Sequence, residues 1–247
     1  MDAGRGGGST GAASPSKRSS ASAPDPFLEP RRPGGPDLAR AVGLILAALG
    51  FVIGARVVAD NSFLTHLATG RLMLEGRSVP TVDPYSWVAA GEAWTVQSWL
   101  ASLIYAVLES TAGPWAIRWL NGLLGTLVVA GLWWLTDTVR SLLVRTGLVG
   151  LVLVIGTFLW PPRPLLFALV GVVLVLLVAD GRLAPPWLVP VFWMWANTHG
   201  SFVLGGGLLF LLAVGAAIDH GRPPRAELRA LAWATAGAVV AMANPLG

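Results

Sequence analysis

The chain contains no cysteine, and only 12% of its residues are charged. Without a thiol there is no disulfide, no thiolate nucleophile and no zinc–thiolate site, so the redox state of its compartment leaves no mark on it. No spacing among its histidines and acidic residues matches a metal motif, a P-loop or a Ser-His-Asp arrangement. The expected metal-ligand set is therefore none and no cofactor is required, while assistance by a divalent metal stays open. The scarcity of charge against 54% apolar residues excludes an ordinary soluble domain and points to lipid as the solvent. A formal net charge of +4 over 247 residues suggests nucleic acid at first sight. Most Lys and Arg residues fall in short connections between apolar runs, however, so no nucleic-acid partner is expected and they report topology instead.

Residues 1–38 are rich in Gly, Ser, Ala and Pro, with scattered Lys17, Arg18, Arg31 and Arg32. That composition predicts a disordered cytoplasmic tail, because it buries too little apolar surface to offset the entropy of ordering. The basic stretch is too long for a signal peptide and no small-x-small cleavage site follows, so Leu44 to Val58 reads as an anchor. The remaining 39–247 form one all-α, polytopic transmembrane bundle of about seven spans. The spans fall near Ala39–Ala59, Pro114–Thr136, Gly147–Trp160, Leu165–Val178, Pro186–Ala196, Phe202–Ile218 and Leu231–Ala243, the third to fifth being short for a bilayer.

A large first loop, 60–113, separates the first two spans. Asp60-Asn61-Ser62 offers helix-capping side chains, the stretch to Glu75 reads as a short helix, and Gly76 suits a left-handed cap position. Pro80 to Trp94 is a turn region. Val96, Leu100, Leu103, Ile104, Val107 and Leu108 then recur at helical spacing, with Gln97, Ser98, Ser102 and Glu109 elsewhere on the wheel. This predicts a helix lying along the membrane interface, with Trp87, Trp94 and Trp99 in the headgroup zone.

Placing the tail in the cytoplasm tests the topology. The six basic residues up to Arg40, with Arg140, Arg145, Arg182, Arg222, Arg225 and Arg229, put twelve of the 17 on one side. The expected location is thus a multi-pass position in a membrane with the N-terminus cytoplasmic. The opposite face then receives Asp60, His66, Arg71, Asp83, Arg163, Asn197, His199 and Asn244.

Each of these residues admits a plain role and a chemical one. Asp60, where the first span leaves the membrane, is either a helix cap or a partly desolvated base of raised pKa. Asp83, before Pro84, suits a turn. His66 lies one helical turn before Gly70 and suits either hydrogen-bonded packing or contact with a substrate. Arg163, in Pro161-Pro162-Arg163-Pro164, has a fork fitted to phosphate, whether of a substrate or of lipid headgroups. Asn197 and His199 make the tip of a tight connection unusually polar.

The runs Asp60-Asn61-Ser62-Phe63-Leu64-Thr65-His66, Thr69-Gly70-Arg71, Val82-Asp83-Pro84-Tyr85-Ser86-Trp87 and Gln97-Ser98-Trp99 carry a resemblance. They resemble the first-loop pattern of bacterial integral-membrane glycosyltransferases of the GT-C superfamily. Arg163-Pro164-Leu165-Leu166-Phe167, Trp195-Ala196-Asn197-Thr198-His199-Gly200-Ser201 and Asn244-Pro245-Leu246-Gly247 are similar to recurring elements of an actinobacterial branch. The resemblance covers about residues 40–247. It implies inverting transfer of a hexosyl or pentosyl group from a polyprenyl-phosphate donor to an extracytoplasmic acceptor, in the plasma membrane. Its catalytic base maps onto Asp60, and many members carry two adjacent acids where this chain has Asp60-Asn61. Arg163, Arg71 and His199 are the implied cations for the carrier phosphate, with His66, Asp83 and Asn197 as further substrate contacts. The partners implied are membrane lipid and the polyprenyl-phosphate-linked sugar. It also implies further spans and an external domain beyond Gly247, so that the chain is expected to be an N-terminal fragment.

Two other classes compete. A transporter or lipid flippase would place ionisable residues in mid-span, where these apolar runs carry almost none. A non-catalytic membrane assembly protein would use the large loop for docking and need no acid at Asp60.

Overall fold

A computed structural model describes residues 37–57, 60–160, 163–221 and 225–245, and the described chain is all-helical. The α-helices are α1 Leu38–Gly54, α2 Asn61–Gly76, α3 Trp99–Ala112, α4 Pro114–Leu135, α5 Leu142–Leu159, α6 Leu165–Ala179, α7 Leu188–Thr198, α8 Val203–His220 and α9 Arg225–Ala241. Single 3₁₀ turns at Pro185–Trp187 and Gly200–Phe202 lead into α7 and α8. The expected tail lies outside the described residues up to position 36. Helix α1 starts where Asp37 Oδ1 accepts the Ala39 N–H at 3.2 Å. It ends short of the expected Ala59, because Arg56 Nε donates to the Ile53 carbonyl at 2.9 Å and closes the last turn.

Among the described residues two helices are long and apolar enough to cross a membrane: Pro114–Leu135 and the continuous Gly200–His220. The apolar helices α1, α5 and α6 fall below the roughly 20 residues that a crossing needs. Helix α7 has only 11 residues, and α9 begins with Arg225, Glu227 and Arg229. Of the seven expected spans, two are therefore met by length and composition among the described residues. The apolar runs are cut short by Pro164, the Pro185-Pro186 turn and Gly200, each of which stops or restarts a helix.

Small residues face inward. Helices α1 and α4 meet backbone to backbone at their glycines. A Cβ on Gly50 would lie 2.8 Å from the Gly125 carbonyl oxygen, and one on Gly54 would strike the Asn121 carbonyl. Helix α6 is apolar on every side and buried on two. Leu166, Val170, Val173 and Leu177 join a core with α1 to α5, while Ala168, Val175 and Val178 join a second core with α7 to α9. Large apolar side chains lie on both sides: Trp195, Tyr105, Ile117 and Leu166 are buried, and the outward faces carry others. Leu44 and Val52 on α1, Leu151 and Phe158 on α5, and Leu211 and Ile218 on α8 are all more than half exposed.

The sequence predicts an interfacial α3, whereas the structure packs one side of it tightly against α2. Its most buried face is Ala101, Ser102, Tyr105 and Ala106, each 0% exposed, while of the aliphatic stripe Val96 is buried, Leu100, Leu103, Ile104 and Leu108 are half-buried and Val107 is exposed. That face admits α2 so closely that a Cβ on Gly70 would run into the Ser102 carbonyl. Trp99 is a buried residue and not an interfacial one, while Trp87 is 97% exposed. At the end of α2, Gly76 remains helical and Arg77 takes the left-handed conformation at φ 51°. Between α2 and α3 the loop is pinned by an antiparallel bridge, Val82 to Ala93. Tyr85 packs edge-on to Trp94 and hydrogen-bonds to Thr69 Oγ1 at 3.0 Å.

Ion pairs show which connections share an end of the bundle. Arg182 joins the turn after α4 to the turn after α6 by binding Asp137 and Asp180. Arg163 joins the start of α2 to the turn before α6 by binding Asp60.

Candidate functional site

Asp60 is built into the start of α2. Its backbone is extended, at φ −131° and ψ 122°, so Oδ1 reaches forward to accept the N–H of Ser62 at 2.8 Å and of Phe63 at 3.3 Å. Oδ2 points the other way and accepts from Arg163 Nε at 2.8 Å and Nη2 at 2.5 Å. The Asp60 side chain keeps 12% of its exposure and that of Arg163 48%. The guanidinium, helped by the two capping amides, holds the Asp60 carboxyl below its usual range against the opposing effect of desolvation. The raised pKa expected of a base at the membrane boundary is therefore reversed, because a cation and two N–H donors outweigh partial burial.

Beside this pair lies a cavity of about 450 Å³ whose lining includes Ser62, His66, Gln97, Ser98, Arg163 and His199. His66 places Nδ1 3.1 Å from Ser102 Oγ, a hydroxyl that is itself fully buried. His199 sits in extended backbone where α7 ends, and its Nδ1 accepts the backbone N–H of Ser201 at 3.2 Å. An amide N–H only donates, so Nδ1 of the neutral ring carries the lone pair and Nε2 carries the proton. Ser201 Oγ, 2.7 Å from the same Nδ1, is in turn held by the indole N–H of Trp195 at 3.2 Å. Burial lowers the pKa of both rings, with His199 adding to the effect on His66. Both are therefore largely neutral at pH 7.

Of the seven residues singled out from the sequence, His66, Arg163 and His199 line the cavity, and Asp60 meets it through Arg163. The other three are engaged elsewhere. Arg71 pairs with Glu109 of α3. Asp83 Oδ1 accepts the N–H groups of Tyr85 at 2.8 Å and Ser86 at 3.0 Å, which is turn duty. Asn197 is buried, accepting the Trp99 indole N–H at 2.7 Å and donating to the Trp193 carbonyl at 2.8 Å. Neither Asp83 nor Asn197 lines the cavity. Asn244, placed on the same face by the sequence, donates to the Ala241 carbonyl at 3.1 Å. Among the described residues no three His, Asp or Glu side chains gather as a metal ion requires.

No family model, curated protein or solved structure matches the chain. The likeness of its first loop to the GT-C pattern thus stands on the quoted residues alone.

Sequence reasoning named Ser102, Ser201 and Gln97 without assigning them to the site. Ser102 shares the small-residue face of α3, whose backbone α2 approaches, and that spacing was its only signal. Gln97 lies against Gly200, where a Cβ would strike its amide, so the loop before α3 closes on the turn after α7. Chemically the cavity offers one guanidinium, two neutral imidazoles and an adjoining carboxylate, a set weighted towards donors and fitted to an oxyanion.

Proposed function

We propose that the chain is a seven-span protein of the bacterial plasma membrane with a cytoplasmic N-terminus. Its 60–113 loop lies outside, and its cavity serves sugar transfer from a polyprenyl-phosphate donor to an extracytoplasmic acceptor. The observation that carries this reading is the contact of Asp60 with Arg163 at the edge of a cavity lined by two histidines. The large apolar side chains on the outer faces of α1, α5 and α8 support the membrane setting, in which the short helices cross where the bilayer thins around them. Charged residues of α4 to α8 lie near helix ends, which favours a site at the membrane boundary over a pathway through it.

In this reaction the acceptor hydroxyl attacks the anomeric carbon as the bond from that carbon to the carrier phosphate breaks. The hydroxyl proton passes to Asp60, and the departing phosphate keeps the bonding electrons. Arg163 balances the charge that develops there, and the Nε2–H of His199 supplies a further hydrogen bond. Attack on the face opposite the leaving group inverts the anomeric centre.

The test is transfer of labelled sugar from its polyprenyl-phosphate donor, in membranes containing the wild-type or the Asp60→Asn protein. Asparagine keeps the capping oxygen and removes the base, so the rate should fall by at least about 10²-fold. Full activity in Asp60→Asn would remove Asp60 from the chemistry.

A further inference from the structure

Asp60 is saturated. A carboxylate has about four acceptor positions, and this one already receives four hydrogen bonds: from the amides of Ser62 and Phe63 on Oδ1, and from Nε and Nη2 of Arg163 on Oδ2. No acceptor position is left for the hydroxyl of a sugar acceptor. Arg163 is not saturated, since it commits two of its five N–H groups, and Nη1 has no hydrogen-bond partner among the described residues. Its side chain is 48% exposed and forms part of the cavity wall that also carries His66 and His199.

We propose that the Asp60–Arg163 pair is a latch opened by an oxyanion: a phosphate entering the cavity takes Arg163 by its open edge, draws it off Oδ2 and thereby uncovers the carboxylate as a base. The two capping amides stay on Oδ1 throughout, so α2 keeps its start while Oδ2 is freed. The donor's phosphodiester carries one negative charge over two free oxygens that fit the guanidinium fork, against the single oxygen that Asp60 presents, and the dodecyl phosphate monoester, with a charge near −2 and three such oxygens, competes better still. The Nε2–H of His199 adds a donor that Asp60 does not use. In the setting of the proposed transferase, on which this inference rests for the identity of the anion, the base is uncovered only when a donor phosphate is seated. The donor therefore binds before the acceptor is activated.

The latch makes a prediction opposite in sign to ordinary substrate contact. If Asp60 competes with the ligand for Arg163, neutralising Asp60 tightens anion binding; if Asp60 holds the ligand, it weakens binding. Dodecyl phosphate and inorganic phosphate are titrated by calorimetry into the full chain in maltoside micelles. Asp60→Asn should bind dodecyl phosphate about two- to fivefold more tightly than wild type, the range that release of an exposed ion pair supplies. Asp60→Ser, which keeps a capping oxygen and has no charge, should shift the same way, and it carries the test where Asp60→Asn folds poorly. Arg163→Gln should abolish binding. Unchanged or weaker binding in the Asp60 variants, or retained binding in Arg163→Gln, overturns the latch. Equal affinity for inorganic and dodecyl phosphate would assign the site to free phosphate and sink the lipid-carrier reading while the latch stands. Tightening in Asp60→Asn, in a protein that transfers no sugar, would have the same consequence.

Discussion

Trp99, the first residue of α3, donates its indole N–H to Asn197 Oδ1 near the end of α7 at 2.7 Å, out of contact with water. The other end of the same amide donates to the Trp193 carbonyl at 2.8 Å, so the orientation of Asn197 is fixed by what each end meets. Together these bonds fasten the large loop to the turn that carries His199.

Replacing Asn197 by Leu should cost about 1–3 kcal/mol, because it strands a buried indole donor. Part of that loss should return in the double variant Asn197→Leu with Trp99→Phe, which has no donor left to satisfy. Thermal melts in detergent read both effects, and an Asn197→Leu protein as stable as wild type would show that the bond contributes nothing.

The end of α2 gives a second test. Gly76 is helical, and the nearest atom to a Cβ placed there is Ser78 Oγ at 3.6 Å, so Gly76→Ala should stabilise by about 0.5–1 kcal/mol. Arg77 holds the left-handed conformation at φ 51°, and Arg77→Gly should gain about 1 kcal/mol by removing that strain. A destabilised Gly76→Ala would return the left-handed position to residue 76.

Acid should weaken the fold in a defined window. The pKa values of His66 and His199 lie below the ordinary 6.5 in the folded protein, mainly through burial. The unfolded chain therefore binds more protons between those lowered values and 6.5, and stability falls as pH drops through 6.5. Above that range the two rings contribute no slope. Melting temperature followed from pH 8 to 5 should decline less steeply in His66→Asn, His199→Asn than in wild type, and parallel curves would exclude the rings as the cause.

The absence of native cysteine makes topology simple to probe. Single cysteines at Gly91, in the loop between α2 and α3, and at Gly181, in the turn after α6, should react with an impermeant maleimide from opposite sides. Gly91 should be the external one. Both positions are left-handed, at φ 86° and 73°, but open, with nothing within 4 Å of a Cβ, so each replacement strains the backbone and clashes with no neighbour. Labelling of both from one side would overturn this topology.

The sequence placed helices well where composition and punctuation agree. Asp60-Asn61-Ser62 announced the cap on α2, and each apolar run corresponds to a helix whose ends lie at Pro, Gly or charged residues. It misjudged faces and lengths. Helix α3 was read as lying along the interface with Trp99 in the headgroup zone, yet Trp99 is buried against Asn197, a partner 98 residues away that no local pattern encodes. The pKa of Asp60 was misjudged because its partner lies 103 residues away, and no local pattern at Asp60 encodes the position of Arg163. Arg71 illustrates the converse, a cation available in the sequence and neutralised in the fold by Glu109.

Helix α6 contributes side chains to both cores, so the described bundle has no seam along which to come apart. Severing the chain after Ala179 would leave one piece with a bare apolar flank and the other without the wall that Leu188, Phe192 and Trp195 pack against. The two halves would be obligate companions, and loss of order on either side of α6 would spread to the other as a single event.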